Sequence, residues 1–375
     1  MSKMSKMPNK TFFITGGGTG GHIYPAVAVA DELVKDGQEV YYVGNPKNLE
    51  YNIVSSKGYK FLPVNVHGMP RKIGLPLIMW GIQLCLATFR AIGYILKYKP
   101  DVIFGTGGYV SAPAMFAAKL LRKPYMLHDC DAQPGLVTRK LAPYAYAVSS
   151  AFESASKFIK NKNFCVNGNP IRPEFKTLSK QAAREILGLG NKTTLCIMGG
   201  SQGARTINDA SVSLLQTLSK DYDIQIIFQT GKKNFERVIE QLLKVYPDYE
   251  LDKNLIIRPY FEDMVSVLKA SDIAISRAGS LSLSEIEAAG LASILIPYPH
   301  AAADHQRKNA RYMVEKGASL YLEDSETDEI HLKNLLDELL KNPENLAKLQ
   351  QNALSLAKYD GVVRIKEQLM EISEL

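Results

Sequence analysis

A strand, a glycine-rich turn and a helix follow one another directly at two places in the 375-residue chain, and this repetition constrains the fold more than any other feature. Thr11-Phe-Phe-Ile14 reads as a short buried strand, Gly16 to Gly21 as a turn, and Ile23–Asp36 as a helix with Ala, Val and Leu at helical spacing. The order restarts at Thr194–Met198, which runs into Gly199-Gly-Ser-Gln-Gly203 and a second helix. Such a turn lets the backbone approach an anion closely, with the first N–H groups of the helix aimed at it. Further strands are predicted at Val40–Val43, Asp101–Phe104, Pro124–Leu127, Ala145–Val148 and Phe164–Val166, and then at Ile224–Gln229, Leu255–Ile257, Asp272–Ser276, Ser293–Ile296 and Ser319–Leu322. Short apolar strands alternating with helices predict an α/β chain with doubly wound parallel sheets. The Gly- and Pro-rich segment Gly168-Asn-Pro-Ile-Arg-Pro173 is the natural linker. It divides the chain into domains over residues 1–170 and 171–345. The remainder, about 346–375, reads as amphipathic helix with no strand to pair and is expected to pack back on a domain.

Hydrophobic residues at 46% and charged residues at 22% give an ordinary globular balance, which excludes intrinsically disordered and fibrous classes. Cys85, Cys130, Cys165 and Cys196 stand singly, with no zinc knuckle and no CxxC pair, as expected of reduced cytosolic thiols. The basic start MSKMSKMPNK is followed by only a short apolar strand, so no export signal is expected. Charge is divided unevenly. Met1 to Pro170 carries 20 Lys+Arg against 9 Asp+Glu, hence +11, and the rest 25 against 29, hence −4. A basic half suits an anionic surface, or serves solubility alone. Nucleic acid is not the expected partner, because the charge is diffuse and no basic stripe is interleaved with aromatics. Ile73–Phe89 is mostly apolar, holds Trp80, and is flanked by Arg71, Lys72 and Arg90. It falls short of the ~20 residues that span a bilayer. Two readings stay open: a buried helix plus loop, or an apolar, basic-rimmed surface that dips into headgroups.

His22 follows the first glycine turn at the start of a helix, where the dipole favours a neutral imidazole able to accept a proton. The residues alone do not separate that role from capping or packing. Gly16, Gly18 and Gly21 can also be threaded as a dinucleotide fingerprint with Glu39 near the acidic position, which would suit a nicotinamide enzyme. In the second half, Gly199 to Arg205 can hold a pyrophosphate through backbone N–H groups and the Ser201 hydroxyl. Ser276-Arg-Ala-Gly-Ser-Leu-Ser-Leu-Ser-Glu285 joins a strand to a helix and ends in a carboxylate that can accept two hydroxyls of a sugar diol, or sit in a capping turn. Asp129-Cys-Asp131 imitates a metal-binding D-x-D, but helix N-termini already serve the phosphates, and no bound metal is expected.

Seven segments in order carry a resemblance: GGGTGGH (16–22), GTGGYVSAP (105–113), HDCDAQPG (128–135), GNPIRPE (168–174), GGSQGAR (199–205), SRAGSLSLSE (276–285) and DHQRKNA (304–310). Together they resemble the MurG family of peptidoglycan N-acetylglucosaminyltransferases over nearly the whole chain. The resemblance implies the GT-B fold, two Rossmann-like domains facing across a cleft, with the C-terminal helix returning to the N-terminal domain. It implies inverting transfer of N-acetylglucosamine from UDP-N-acetylglucosamine to the 4-hydroxyl of lipid I, forming lipid II at the cytoplasmic face of the plasma membrane. Bound there peripherally, the chain would meet the anionic membrane surface and other cell-wall synthesis proteins. The donor is a substrate, and no tightly bound cofactor is implied. A UDP-N-acetylglucosamine epimerase on the same scaffold is the alternative.

By the family's motifs His22 is the base, with Asp129 or His128 as open alternatives. Thr19, Gly20, Gly21, Asp131, Arg172, Ser201, Phe261, Ser280, Leu281, Ser282, Leu283, Ser284, Glu285 and Gln306 fall on the donor side, with Arg172 suited to the leaving diphosphate, the Phe261 backbone to uracil and Glu285 to ribose. Gly18, Tyr109, Arg71, Lys72 and Trp80 fall on the acceptor and membrane side. The chain departs from the family at Asp131, where an amide is usual, at Thr138 in place of asparagine, and at His305 in place of the first of two glutamines.

Overall fold

Among the described residues every strand pairing is parallel, and the strands form two separate sheets with the same winding. The computed structural model describes residues 9–70, 74–200 and 202–375. The first sheet has the order β3-β2-β1-β4-β5-β6-β7 and the second β10-β9-β8-β11-β12-β13. In the first, β1 is Thr11–Thr15, β2 Glu39–Gly44, β3 Lys60–Pro63, β4 Val102–Gly105, β5 Tyr125–Asp129, β6 Ala147–Ser150 and β7 Phe164–Val166. In the second, β8 is Thr193–Met198, β9 Ile224–Gln229, β10 Leu255–Arg258, β11 Ile273–Ser276, β12 Ala292–Leu295 and β13 Ser319–Tyr321. Each order reverses beside its first strand, at β1/β4 and at β8/β11, and such switch points are where open α/β sheets bind ligands.

The chain separates into one compact unit of residues 1–171 with 360–375, and a second of Arg172–Tyr359. Helices α1 (Gly20–Lys35), α2 (Leu49–Ser56), α3 (Leu75–Tyr98), α4 (Gly108–Leu120) and α5 (Leu136–Leu141) belong to the first unit. The second holds α6 (Glu174–Thr177), α7 (Lys180–Leu187), α8 (Arg205–Asp221), α9 (Phe235–Val245), α10 (Met264–Ala270), α11 (Ser280–Ala289), α12 (His305–Glu315), α13 (Glu329–Leu340) and α14 (Pro343–Leu356). The period of two along β1 builds two cores. Phe12 and Ile14 point into a layer with Ile23, Ala26, Val29 and Leu33 of α1, while Phe13 joins Ala87, Ala91 and Ile95 of α3 on the other face. The second unit is built around Leu195 and Ile197 of β8 with α8 and α13.

The C-terminal segment differs from the expected single returning helix. It breaks at 357–360, leaving α14 packed on α11 and β12 in the second unit, and α15 (Gly361–Ser373) in the first. Ile365, Leu369 and Ile372 of α15 are buried against α1, each worth roughly 1.5–3 kcal/mol. Gln368 accepts from Asn167 Nδ2 at 2.8 Å, and Lys366 pairs with Asp36 at 2.7 Å. Gly361 opens the helix because a Cβ there would lie 2.9–3.0 Å from the carbonyls of Asn167, Gly168 and Asn169.

From Leu75 onward the apolar stretch read over 73–89 forms a longer helix, α3, which runs to Tyr98, while Ile73 lies outside the described residues. Only its inner side is buried, through Ala87, Thr88, Ala91 and Ile95. Leu75, Ile78, Met79, Ile82, Leu86, Phe89 and Leu96 are exposed, and their spacing places them along one stripe. The helix is long and apolar enough to cross a membrane by length and composition, yet it packs against α4 as part of the first unit.

Candidate functional site

In the first unit the site grows from the C-terminal ends of β1, β4 and β5. Gly16 follows β1 with no room for a side chain: a Cβ would meet Thr106 Oγ1 at 2.0 Å and the His22 carbonyl at 2.7 Å. The Tyr42 hydroxyl donates to the Gly16 carbonyl at 2.7 Å and fixes the start of the turn. Gly108, at φ +73°, lies so close that a Cβ would sit 2.5 Å from the Gly17 carbonyl and 3.3 Å from His22 Nδ1. Two glycine turns, after β1 and β4, thus close on the half-buried His22 ring. His22 Nδ1 is 3.0 Å from Thr19 Oγ1, and the His22 carbonyl accepts from the Thr106 hydroxyl at 2.6 Å. Gly20 and Gly21 supply the first N–H groups of α1, which a helix cannot satisfy internally.

Asp129 ends β5 and is nearly fully buried. Its Oδ2 accepts from the Gly135 N–H at 3.0 Å and its Oδ1 from the Asp131 N–H at 3.2 Å. Burial and the neighbouring Asp131 charge push its carboxyl up to about 6, against the pull of those two N–H groups. This geometry holds the 130–135 loop. Asp131 itself is half-buried in that loop, and Thr138 is buried in α5. His128 is wholly buried, with Nδ1 3.0 Å from Ser149 Oγ and Nε2 3.3 Å from Asn169 Oδ1. Burial lowers its imidazole to about 4, so it is a neutral tie between β5, β6 and the linker.

Of the residues expected on the acceptor side, Tyr109 lies over Gly18, whose φ is +85° and where a Cβ would come within 2.8 Å of the Tyr109 ring. Trp80 Nε1 donates to the His67 carbonyl at 2.8 Å, anchoring α3 to the loop before it. Arg71 and Lys72 lie outside the described residues, as does Ser201.

In the second unit Gly199, Gly200 and Gly203 turn β8 into α8, and Gly203, at φ +75°, packs where a Cβ would meet the Thr230 carbonyl at 2.0 Å. At the neighbouring switch-point strand β11, helix α11 begins directly at Ser280. Ser280, Leu281 and Ser282 occupy its first turn, with Ser280 and Ser284 buried and Leu281 and Ser282 half-buried. Leu283 faces inward, fully buried, and its N–H donates to the Gly279 carbonyl at 3.0 Å, so it supports the turn and presents neither group outward. Glu285 Oε1 accepts from Arg172 Nη2 at 2.9 Å, bringing together two residues expected at the ribose and the diphosphate. Burial raises the Glu285 carboxyl above its usual range while Arg172 opposes the shift. Phe261 is buried, and its N–H donates to Gln229 Oε1 at 2.9 Å. Gln229 Nε2 reaches the Gly200 carbonyl at 3.3 Å, so this side chain joins the expected uracil residue to the glycine turn. In the sequence Gln229 reads only as the last residue of a buried strand. Gln306 accepts from the Tyr298 N–H at 2.9 Å, and His305 opens α12. Among the described residues no group of three or more His, Cys, Asp or Glu side chains could hold a metal.

Residues 12–150 match the glycosyltransferase family 28 N-terminal domain and residues 194–365 the glycosyltransferase family 28 C-terminal domain. A relative from Desulforamulus reducens, named UDP-N-acetylglucosamine--N-acetylmuramyl-(pentapeptide) pyrophosphoryl-undecaprenol N-acetylglucosamine transferase, is 38% identical over 355 residues, covering 93% of this chain and 95% of its own. One of the same name from Caldanaerobacter subterraneus subsp. tengcongensis is 37% identical over 367 residues, covering 96% and 100%. The crystal structure of Acinetobacter baumannii MurG aligns with a TM-score of 0.78 at 26% identity, covering 97% of this chain and 100% of that one. Doubly wound sheets with a glycine turn at each switch point, in this company, define a GT-B glycosyltransferase. The chain belongs to glycosyltransferase family 28 and, within it, to the MurG family.

Proposed function

We propose that this chain transfers N-acetylglucosamine from UDP-N-acetylglucosamine to the 4-hydroxyl of the N-acetylmuramyl unit of lipid I, with inversion at the anomeric carbon. The observation that carries the reading is the near full-length similarity to relatives named for that transfer. An inverting displacement needs a base for the incoming hydroxyl and stabilisation for the departing diphosphate. The first unit supplies the base. His22 Nδ1 lies 3.0 Å from Thr19 Oγ1, and in the tautomer that donates Nδ1–H to that hydroxyl Nε2 is the proton acceptor. The hydroxyl oxygen forms its bond to the anomeric carbon as its proton passes to His22, and the bond to UDP breaks with its electrons on the phosphate. Asp129 and His128 act through the loops they hold. The second unit supplies the leaving-group half: the first turn of α11 and Arg172 for diphosphate, Glu285 for the ribose diol, and the Phe261 carbonyl, its N–H being held by Gln229, for uracil.

The acceptor's tail stays in a bilayer, and the apolar stripe of α3 has the chemistry to meet it. We assign the chain to the cytoplasmic membrane surface as a peripheral protein, with the excess positive charge of the first half facing anionic headgroups. The deciding experiment incubates the chain with radiolabelled UDP-N-acetylglucosamine and lipid I. Label extracting into the organic phase supports the reading. UDP release independent of acceptor favours an epimerase-type enzyme, and the absence of both products with folded protein removes the proposal.

A further inference from the structure

Glu50, the second residue of α2, is a carboxylate with 0% of its surface exposed. Burying a charge is costly unless hydrogen bonds replace its water. Here N–H donors replace it: Oε2 accepts from the Gly18 N–H at 3.3 Å, and Oε1 from the Asn45 N–H at 3.2 Å and from Asn48 Nδ2 at 3.3 Å. The carboxylate fills the space beneath the glycine turn, where a Cβ on Gly17 would lie 2.7 Å from it. Asn48 Nδ2 also donates to the Tyr109 hydroxyl at 3.0 Å, and the Tyr109 ring lies over Gly18. One network thus runs from a buried acid to both sides of the Gly18 peptide, and the sequence motifs give Glu50 no part in it.

We infer that Glu50 is a positioning residue for the acceptor half of the reaction. It turns the Gly18 N–H inward and fixes the Tyr109 ring through Asn48. The turn then delivers Thr19, Gly20, Gly21 and His22 in one conformation. The inference rests on the proposed role of the first unit as base and acceptor half. A carboxylate is required because three donors converge on it, and an amide would set an N–H₂ group against one of them. Tyr109 is therefore held by the same device that shapes the turn.

The test compares the full-length wild type with Glu50→Gln and Asn48→Ala. Initial rates are measured with a short-chain lipid I analogue and UDP-N-acetylglucosamine, and donor affinity is measured separately by calorimetry. Losing a hydrogen bond to a charged group predicts a fall of about ten- to a hundredfold in kcat/KM for the acceptor in Glu50→Gln. The proposed contacts to UDP all lie in the second unit, so donor Kd should stay within about twofold, a split that a general loss of structure would not give. Wild-type acceptor kinetics in Glu50→Gln, or an equal loss of donor affinity, overturns the inference. If Glu50→Gln fails to fold, Asn48→Ala decides: a raised acceptor KM with unchanged donor Kd supports the inference, and unchanged acceptor kinetics ends it. A wild type that never transfers to the analogue counts against the proposed function, whereas active wild type beside unimpaired variants removes only Glu50.

Discussion

Exchanging Ile82 and Phe89 on α3 for alanine separates a membrane face from a packing face. The two side chains are 57% and 70% exposed, so the fold gains little from them and their removal should change stability by no more than about 0.5 kcal/mol. Immersed in an interface, the same side chains are worth at least roughly 1.5 kcal/mol each. Together that is about 3 kcal/mol, and at 1.4 kcal/mol per decade the double variant should bind vesicles about a hundredfold more weakly. Ile95→Ala is the control: its side chain is 1% exposed in the core, so it should lose roughly 2–5 kcal/mol of stability and, while folded, keep its vesicle affinity. Co-sedimentation with anionic phospholipid vesicles reads the first quantity and urea denaturation the second. A double variant that binds like the wild type, or that is destabilised by more than about 2 kcal/mol, refutes the assignment of that face.

Three further outcomes follow from polar groups of the second unit. Burial raises the Glu287 carboxyl to about 8, so the folded state holds its proton more tightly than the unfolded chain, and stability falls as pH rises from 4.5 to 8. Glu287→Gln should therefore match the wild type near pH 4 and gain on it by about 1.4 kcal/mol per pH unit through that window, as read by urea midpoints at fixed pH. Gln229→Ala frees the Phe261 N–H and unties the Gly200 turn, and should raise the Kd for UDP by about tenfold, measured by calorimetry. Arg172→Ala removes the cation beside Glu285 and should lower kcat/KM for the donor by about a hundredfold or more, seen in initial rates.

The sheets were legible because a parallel strand buried on both faces leaves a continuous apolar run, as at Thr11–Ile14 and Thr194–Met198. The strand Lys60–Pro63 was missed for the converse reason: at a sheet edge only Leu62 is buried, and a lysine and a proline disguise it. Glycine turns announced both switch points, since only glycine tolerates the contacts made at 16, 108, 199 and 203. What sits behind those turns was not legible. Glu50 and Gln229 look like surface or strand-end polar residues until tertiary packing buries them. His128 shows the opposite case, a histidine inside a motif that the fold uses as a buried tie. Leu283 and the Phe261 N–H likewise lay within donor motifs yet are engaged internally, a distinction that depends on helix phase and on a neighbouring strand.

In the proposed transfer the His22 imidazole, in the first turn of α1, removes the acceptor proton. That role is tested most directly by His22→Ala, assayed for label transferred from UDP-N-acetylglucosamine to lipid I alongside calorimetric binding of the donor. Removal of a general base predicts a fall in kcat of about 10²–10⁴ with donor affinity retained. A variant that turns over within a fewfold of the wild type would remove His22 as the base.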